Sequence, residues 1–308
     1  MLCLNAGKNV LCEKAFTVNA AQARILVETA KEKGVFLMEA VWTRYFPLSI
    51  RIRELVTSGK IGKVVRVSAD MSVNVSTNDE TGGKLAFGDE SRAVKMDLAG
   101  GALLDLGIYS LTWIFQILYL CQKAGEKEKP KVLAAVDRYY TGADESVSAV
   151  LHWEGQRTMG VATTGFRTAT QPDGEESPAS GPACRIQGTK GEIQVFGPLY
   201  RPTLYRVVMG EGEKGKVEEV DCPIPKDPER EGRKGEEKLG WGHGMFWEAD
   251  EAARCLRDGK KESEVLTWEE SVVIMEVMDE IRKQGGVKYP EEIESTVYDE
   301  KSPLNGKS

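Results

Sequence analysis

The run from Gly100 to Leu118 constrains the fold more than any other part of this chain. Leu104, Ile108, Leu111, Phe115 and Leu118 recur at steps of four, three, four and three. That is the spacing of one helical face, so the segment reads as an amphipathic helix whose apolar stripe must lie against a core. Asp105 and Tyr109 stand four residues apart at the border of the stripe and share a face. A carboxylate there needs a partner or water, because burying it alone is costly, and a cleft wall meets that need. In the plainer alternative, nearby backbone satisfies Asp105 and Tyr109 is an ordinary half-buried aromatic.

Ahead of this helix the pattern alternates. Leu2 to Gly7 reads as the end of a helix, and Val10 to Phe16 as a brief buried strand that ends in the charged pair Glu13-Lys14. Asn19 with Gln22 caps a helix that stops at Gly34, Val35 to Ala40 is the next strand, and Pro47 opens a helix stopped by Gly59. Strand, helix, strand, helix predicts a parallel α/β sheet, here an incomplete one.

From Val64 the texture turns to strands: 64–69, 132–140, 147–153, 158–164, 185–187, 192–195, 204–209 and 217–220. They predict a large, mostly antiparallel sheet with helices on one face. The opposite face should stay apolar and open, a natural surface for a second copy. Lys226 to Lys238 is a mixed-charge insertion and reads as a solvated loop. Two helices follow, the first marked by Phe246, Ala249, Ala253 and Leu256, the second capped at Thr267 with the stripe Ile274, Met278 and Ile281. After Tyr289-Pro290 the tail is polar and expected to fray.

Charge and cysteine usage narrow the function. With 41 Lys and Arg against 48 Asp and Glu in 308 residues, the net charge of -7 argues against nucleic acid or an anionic membrane as main partner. The six cysteines are scattered without ligand spacing and read as reduced thiols. No run reads as long enough to span a bilayer, so a cytoplasmic protein is expected. His152 and His243 have no ligand-spaced partner, so no metal site is expected.

Two motifs then stand out: Glu13-Lys14-Ala15 at the end of a strand, and Asp105-Leu106-Gly107-Ile108-Tyr109 at the start of a helix. Together they resemble the glucose-fructose oxidoreductase/inositol dehydrogenase-like family, which carries Glu-Lys-Pro and Asp-x-Gly-x-His or Asp-x-Gly-x-Tyr. Residues 36–47, Gly188 to Ile193 and the region from Glu248 to Tyr289 extend the resemblance over nearly the whole chain. It is greatest to the branch that holds NADP-dependent D-xylose dehydrogenases and dimeric trans-dihydrodiol dehydrogenases.

The resemblance implies an α/β plus α+β architecture: residues 1–62 as the remnant of a parallel Rossmann-type sheet, 63–290 as a substrate-binding and dimerisation domain, and 291–308 as a tail. Helices near 245–284 can pack back on the nucleotide domain. It implies hydride transfer between a sugar or diol CH–OH group and NADP, with NAD possible, in a homodimer joined through the open sheet face. A D-xylose-type sugar oxidised to a lactone is the first reading and a trans-dihydrodiol the second. A non-catalytic sugar-binding or dimerisation module is the third.

Lys14, Asp105 and Tyr109 carry the proton-transfer role by resemblance, while Glu13, Lys14, Trp42 and Arg44 line the nicotinamide end. Hydride transfer from a carbinol requires the hydroxyl proton to leave, so a positioned base or relay is needed. Lys14 at the carboxyl end of a strand can polarise the hydroxyl and depress the proton affinity of Tyr109. Ala15 replaces the family proline and frees φ after Lys14, which loosens the loop.

No Gly-x-Gly-x-x-Gly turn precedes Lys14, so the chain reads as an N-terminally shortened member of the family. A dinucleotide is held mainly through its phosphates and adenosine. The polypeptide 1–308 is therefore expected to bind NADPH weakly in a calorimetric titration. A low-micromolar dissociation constant, about -8 kcal/mol, would overturn that expectation.

Overall fold

The structure, a computed structural model, describes all residues except 78–82, 124, 126, 175–176, 211, 213–214, 226–241, 300 and 302–308. The loop expected at Lys226 to Lys238 lies outside the described residues. After the short helix α1 (Leu2–Asn5) come strand β1 (Val10–Glu13), helix α2 (Ala20–Lys33), strand β2 (Leu37–Ala40) and helix α3 (Pro47–Thr57). Local chemistry sets α2: the Asn19 side chain accepts from Gln22 N at 2.9 Å and Gln22 Oε1 accepts from Val18 N at 3.1 Å. Gly34 at φ 63° then ends the helix. β1 and β2 form a two-stranded parallel sheet, and β2 is buried along its whole length, as befits a strand covered on both faces.

The second sheet has eight strands: β3 (Val64–Ser72), β4 (Lys131–Arg138), β5 (Asp144–Trp153), β6 (Thr158–Gly165), β7 (Cys184–Gly188), β8 (Gly191–Val195), β9 (Leu204–Met209) and β10 (Val217–Asp221). Their order is β10-β9-β8-β7-β3-β6-β5-β4, antiparallel except for the parallel pair β3 and β6. Helix α4 (Ile108–Leu118) runs beneath β3 and β6. Gly160 on β6 makes room for it, since a Cβ there would stand 2.5 Å from Ile114 Cγ2.

Every residue of α4 is buried. This corrects the amphipathic reading: the sheet, α3 and the closing helix that begins at Trp268 surround α4, so its polar side also faces protein. The stretch Met96–Leu118 is in fact long and apolar enough to cross a membrane by length and composition, contrary to the sequence reading. Most of it is buried inside the fold, so it serves here as a core helix.

Helices α5 (Phe246–Arg257), α6 (Trp268–Gly285) and α7 (Glu291–Glu294) close the chain. The buried row of α5 is Glu248, Ala252 and Cys255. The stripe expected from Ala249, Ala253 and Leu256 points outward, because a buried carboxylate replaces an apolar residue in the inward row. α6 packs on both α2 and β4, and Trp268 Nε1 donates to Leu37 O at 2.7 Å. Its Gln284 reaches the outermost strand, accepting from Ala134 N at 2.7 Å and donating to Val132 O at 2.9 Å. Beyond α6 the segment expected to fray is docked: Gln22 Nε2 donates to Ile293 O and Ser295 O, and Asn19 Nδ2 to Glu294 O.

The open face of the large sheet is not the continuous apolar surface expected from the alternation. Arg66 with Gln187, Arg185 with Glu192, and Arg206 with Glu219 pair across its strands. Its exposed apolar side chains are spread out: Leu133, 69% exposed, on β4 at one edge, Met159 on β6, and Val217 on β10 at the other edge.

Arg44 is also misplaced by the sequence reading. It follows β2 in a single tight turn, Trp42–Tyr45, yet its side chain turns into the core and is 0% exposed. One guanidinium nitrogen donates to Glu270 Oε1 at 2.6 Å and Val265 O at 2.8 Å, the other to Thr112 O at 3.1 Å. Arg44 therefore ties β2, α4 and α6 together and cannot contact a cofactor in a cleft. Removing one partner of such a pair strands the other charge. Arg44→Met is expected to lower the unfolding free energy by about 3–5 kcal/mol in urea denaturation. A loss below about 1 kcal/mol, the level of an exposed pair, would contradict this role.

Candidate active site

At the end of β1 the chain turns sharply at Lys14, and the Lys14–Ala15 peptide bond is cis. The following residues are anchored from below by Glu39 on β2. Its Oε1 accepts from Phe16 N at 3.0 Å and its Oε2 from Ser271 Oγ at 2.6 Å. This carboxylate fastens the loop at a point where a proline is absent. Burial pushes the Glu39 carboxyl up to about 7.

The helix carrying Asp105 begins with one wide turn, Leu103–Gly107, in which Ile108 N reaches back five residues to Leu103 O. No local side chain caps this start. The donor at Leu103 N instead reaches across to Asp144 Oδ2, on β5, at 2.6 Å. Asp144 is buried, which pushes its carboxyl up to about 6 despite that hydrogen bond.

Lys14 Nζ donates to the Asp105 backbone oxygen at 2.6 Å and to Asp105 Oδ1 at 3.2 Å, and lies 5.1 Å from the centre of the Tyr109 ring. Arg92 also donates to Asp105 Oδ1, at 3.2 Å. Behind them Trp42 Nε1 donates to the Tyr109 hydroxyl at 2.8 Å, and the Trp42 ring stacks on Tyr200 at 5.8 Å. Lys14 and Asp105 line a cleft of about 510 Å³ together with Glu13, Gln22, Arg92 and Gly101. Lys14, Asp105, Tyr109 and Trp42 thus form one hydrogen-bonded and packed group, with Glu13 at its rim; Arg44 is not among them.

The electrostatics depart from the sequence reading at Tyr109. Lys14 lies over the ring and is bonded to Asp105, while burial drives the phenol's proton affinity up rather than down. Tyr109 is therefore a neutral hydroxyl. Its oxygen accepts from Trp42, and its own proton has no acceptor among the described residues. Glu248 on α5 is buried, and burial together with Glu13 raises its carboxyl to about 7.

Arg92 and Tyr200 lie outside every motif, whereas Glu39 and Glu248 fall inside stretches that extend the family resemblance without carrying a role there; an inward carboxylate such as Glu248 interrupts the apolar stripe by which a helix face is recognised.

Comparison with known proteins agrees with this geometry. Residues 50–194 match the GFO/IDH/MocA C-terminal domain. Over 305 residues the chain is 58% identical to the D-xylose 1-dehydrogenase (NADP(+)) of Hypocrea jecorina, covering 99% of this chain and 74% of that protein. The chain belongs to the GFO/IDH/MocA family of oxidoreductases. Within the family, the trans-1,2-dihydrobenzene-1,2-diol dehydrogenase of Sus scrofa is 34% identical over 297 residues, 95% of this chain and 75% of that protein.

Two solved structures share the fold at 18% identity, each covering 92% of this chain and 72% of the other. They are an aldose-aldose oxidoreductase from Caulobacter crescentus crystallised with glycerol, at a TM-score of 0.67, and a 3-ketoreductase from Actinomadura kijaniata in complex with NADP, at 0.65.

Three buried carboxyls, Glu39, Glu248 and Asp144, are raised to about 7, 7 and 6. An acid whose folded pKa is raised stabilises the fold fully below its unfolded value, and that contribution is lost as pH rises through the folded value. The thermal midpoint is therefore expected to be higher near pH 5.5 than near about pH 8, and Glu248→Gln to narrow the difference. A midpoint that rises with pH across this window would refute the assignment.

Proposed function

We propose that this chain carries the substrate and proton-transfer half of an NADP-linked D-xylose 1-dehydrogenase reaction, performed where Lys14, Asp105 and Tyr109 meet. The observation that carries the reading is the double hold of Lys14 Nζ on Asp105 at the cleft wall, in a chain 58% identical over 99% of its length to a D-xylose 1-dehydrogenase (NADP(+)). The lower identity to the diol dehydrogenases, 34%, places a trans-dihydrodiol second.

NADP, when bound, supplies the hydride acceptor. The chain offers its nicotinamide end the sites where open parallel sheets take ligands: Glu13 and Lys14 at the carboxyl end of β1, and Trp42 just after β2. A sugar hydroxyl in the cleft meets the Lys14 ammonium and the Asp105 carboxylate, which are 3.2 Å apart. The hydroxyl proton leaves into this pair. Arg92 and Lys14 together fix the Asp105 carboxylate from two sides, and such charge-assisted bonds hold it more firmly than neutral ones would. Tyr109 keeps its own proton and offers a hydrogen bond to a second substrate oxygen, in line with burial raising its proton affinity. Two copies joined through the open face of the large sheet belong to the same reading, with Leu133 and Met159 among its exposed apolar side chains.

The test replaces the matching segment of the Hypocrea jecorina enzyme by this chain and follows NADP reduction with D-xylose. Lys14→Met is expected to lower the rate by about one hundredfold or more, the range for losing a member of the proton-accepting pair, and Tyr109→Phe, which removes only a hydrogen-bond donor, by about tenfold. Near-normal turnover in both variants would overturn the assignment.

A further inference from the structure

The helix that carries Asp105 and Tyr109 is held at its start from two distant parts of the chain. Asp144, 1% exposed, accepts from Leu103 N at 2.6 Å. It stands so close to the preceding turn that a Cβ on Gly101, whose φ is 147°, would lie 2.0 Å from Asp144 Oδ1. On the other side, the Tyr289 hydroxyl donates to Gly100 O at 3.1 Å. Gly100 is packed as closely: a Cβ there would meet Lys95 N at 2.7 Å and Arg92 O at 2.9 Å. The Gly100-Gly101 turn is thus wedged between the strand bearing Asp144, the segment bearing Tyr289 and the loop bearing Arg92.

Two residues past Leu103, the backbone oxygen of Asp105 is the shorter of the two contacts made by Lys14 Nζ, 2.6 Å against 3.2 Å to the carboxylate. The place of the Lys14 ammonium therefore depends on main-chain geometry in the wide turn as well as on a side chain. A helix start without its donor satisfied frays, and a buried donor left without a partner is costly.

We propose that Asp144 and Tyr289 are positioning residues for proton transfer, fixing the Gly100–Gly101 turn so that the Asp105 carbonyl and carboxylate both receive Lys14. This rests on the proposed function for its consequence in catalysis, but its structural content can be read separately. Asp144 acts through Leu103 N and Tyr289 through Gly100 O, and neither side chain lines the cleft.

The test is amine-selective acylation of the folded chain, with the modification of Lys14 measured by peptide mass spectrometry against the exposed Lys8 and Lys33. Asp144→Ala is expected to raise the labelling rate of Lys14 about tenfold with Lys8 and Lys33 unchanged, the size expected for losing one buried charge-assisted hydrogen bond. Asp144→Asn retains an acceptor oxygen for Leu103 N, so labelling within about twofold of the parent is expected. Tyr289→Phe removes a single hydroxyl and keeps the test open should the alanine variant fail to fold; a rise of about threefold is expected. Unchanged Lys14 labelling in Tyr289→Phe, or in a folded Asp144→Ala, would overturn the proposal. Raised Lys14 labelling in these variants, together with no D-xylose-dependent NADP reduction by the unsubstituted chimera with the Hypocrea jecorina enzyme, would uphold the positioning and overturn the proposed reaction alone.

Discussion

The arrangement depends on one buried ion pair. Arg44 and Glu270 are both removed from water, a costly situation that further acceptors for the guanidinium offset in part. The carbonyls of Val265 and Thr112 supply two, which leaves the buried Arg44 Nε and Glu270 Oε2 without partners among the described residues, and Arg53, itself depressed to about 10 by burial, donates to the Arg44 carbonyl and to Gln116. Because Thr112 belongs to α4 and Arg44 to the turn after β2, the pair fixes the parallel strands against the central helix. Trp42, two residues before Arg44, and Tyr109, three before Thr112, are brought to hydrogen-bonding distance by the same attachment. The small sheet and the large one are thereby set relative to the point where Lys14 meets Asp105.

What the sequence shows most clearly is what local chemistry determines. The Asn19 and Gln22 exchange is confined to one turn, the glycine stop at Gly34 needs only a left-handed backbone, and the strand alternation after Val64 follows a period of two. Arg44 shows the limit. An arginine beside a tryptophan after a strand reads equally well as a cofactor ligand, and its burial is decided by a glutamate 226 residues away. Glu248 is the converse case, since its inward position breaks the apolar row by which a helix face is recognised.

The site was legible as residue types but not as electrostatics. Lys14, Asp105 and Tyr109 were all recognisable, and the structure gathers them. That Lys14 would settle on a carbonyl and a carboxylate, leaving Tyr109 to the desolvating effect of the aromatic group behind it, depends on the wide turn at Leu103–Gly107. Such a turn has no dependable signature in a single sequence. Arg92 was invisible for a related reason: only the packing of its loop against the Gly100–Gly101 turn carries its guanidinium to Asp105.

The Gln284 side chain has a consequence for how molecules of this protein can meet. An outermost strand normally offers a row of free peptide groups on which another chain can grow, the route to edge-to-edge polymers. At β4 one primary amide imitates the peptide of a neighbouring strand, accepting from Ala134 and donating to Val132, the two groups an incoming strand would need first. The sheet is in effect terminated by a glutamine. The amide belongs to α6, which packs along β4, so an incoming strand would have to displace a group carried by a core helix before it could pair at Val132 and Ala134.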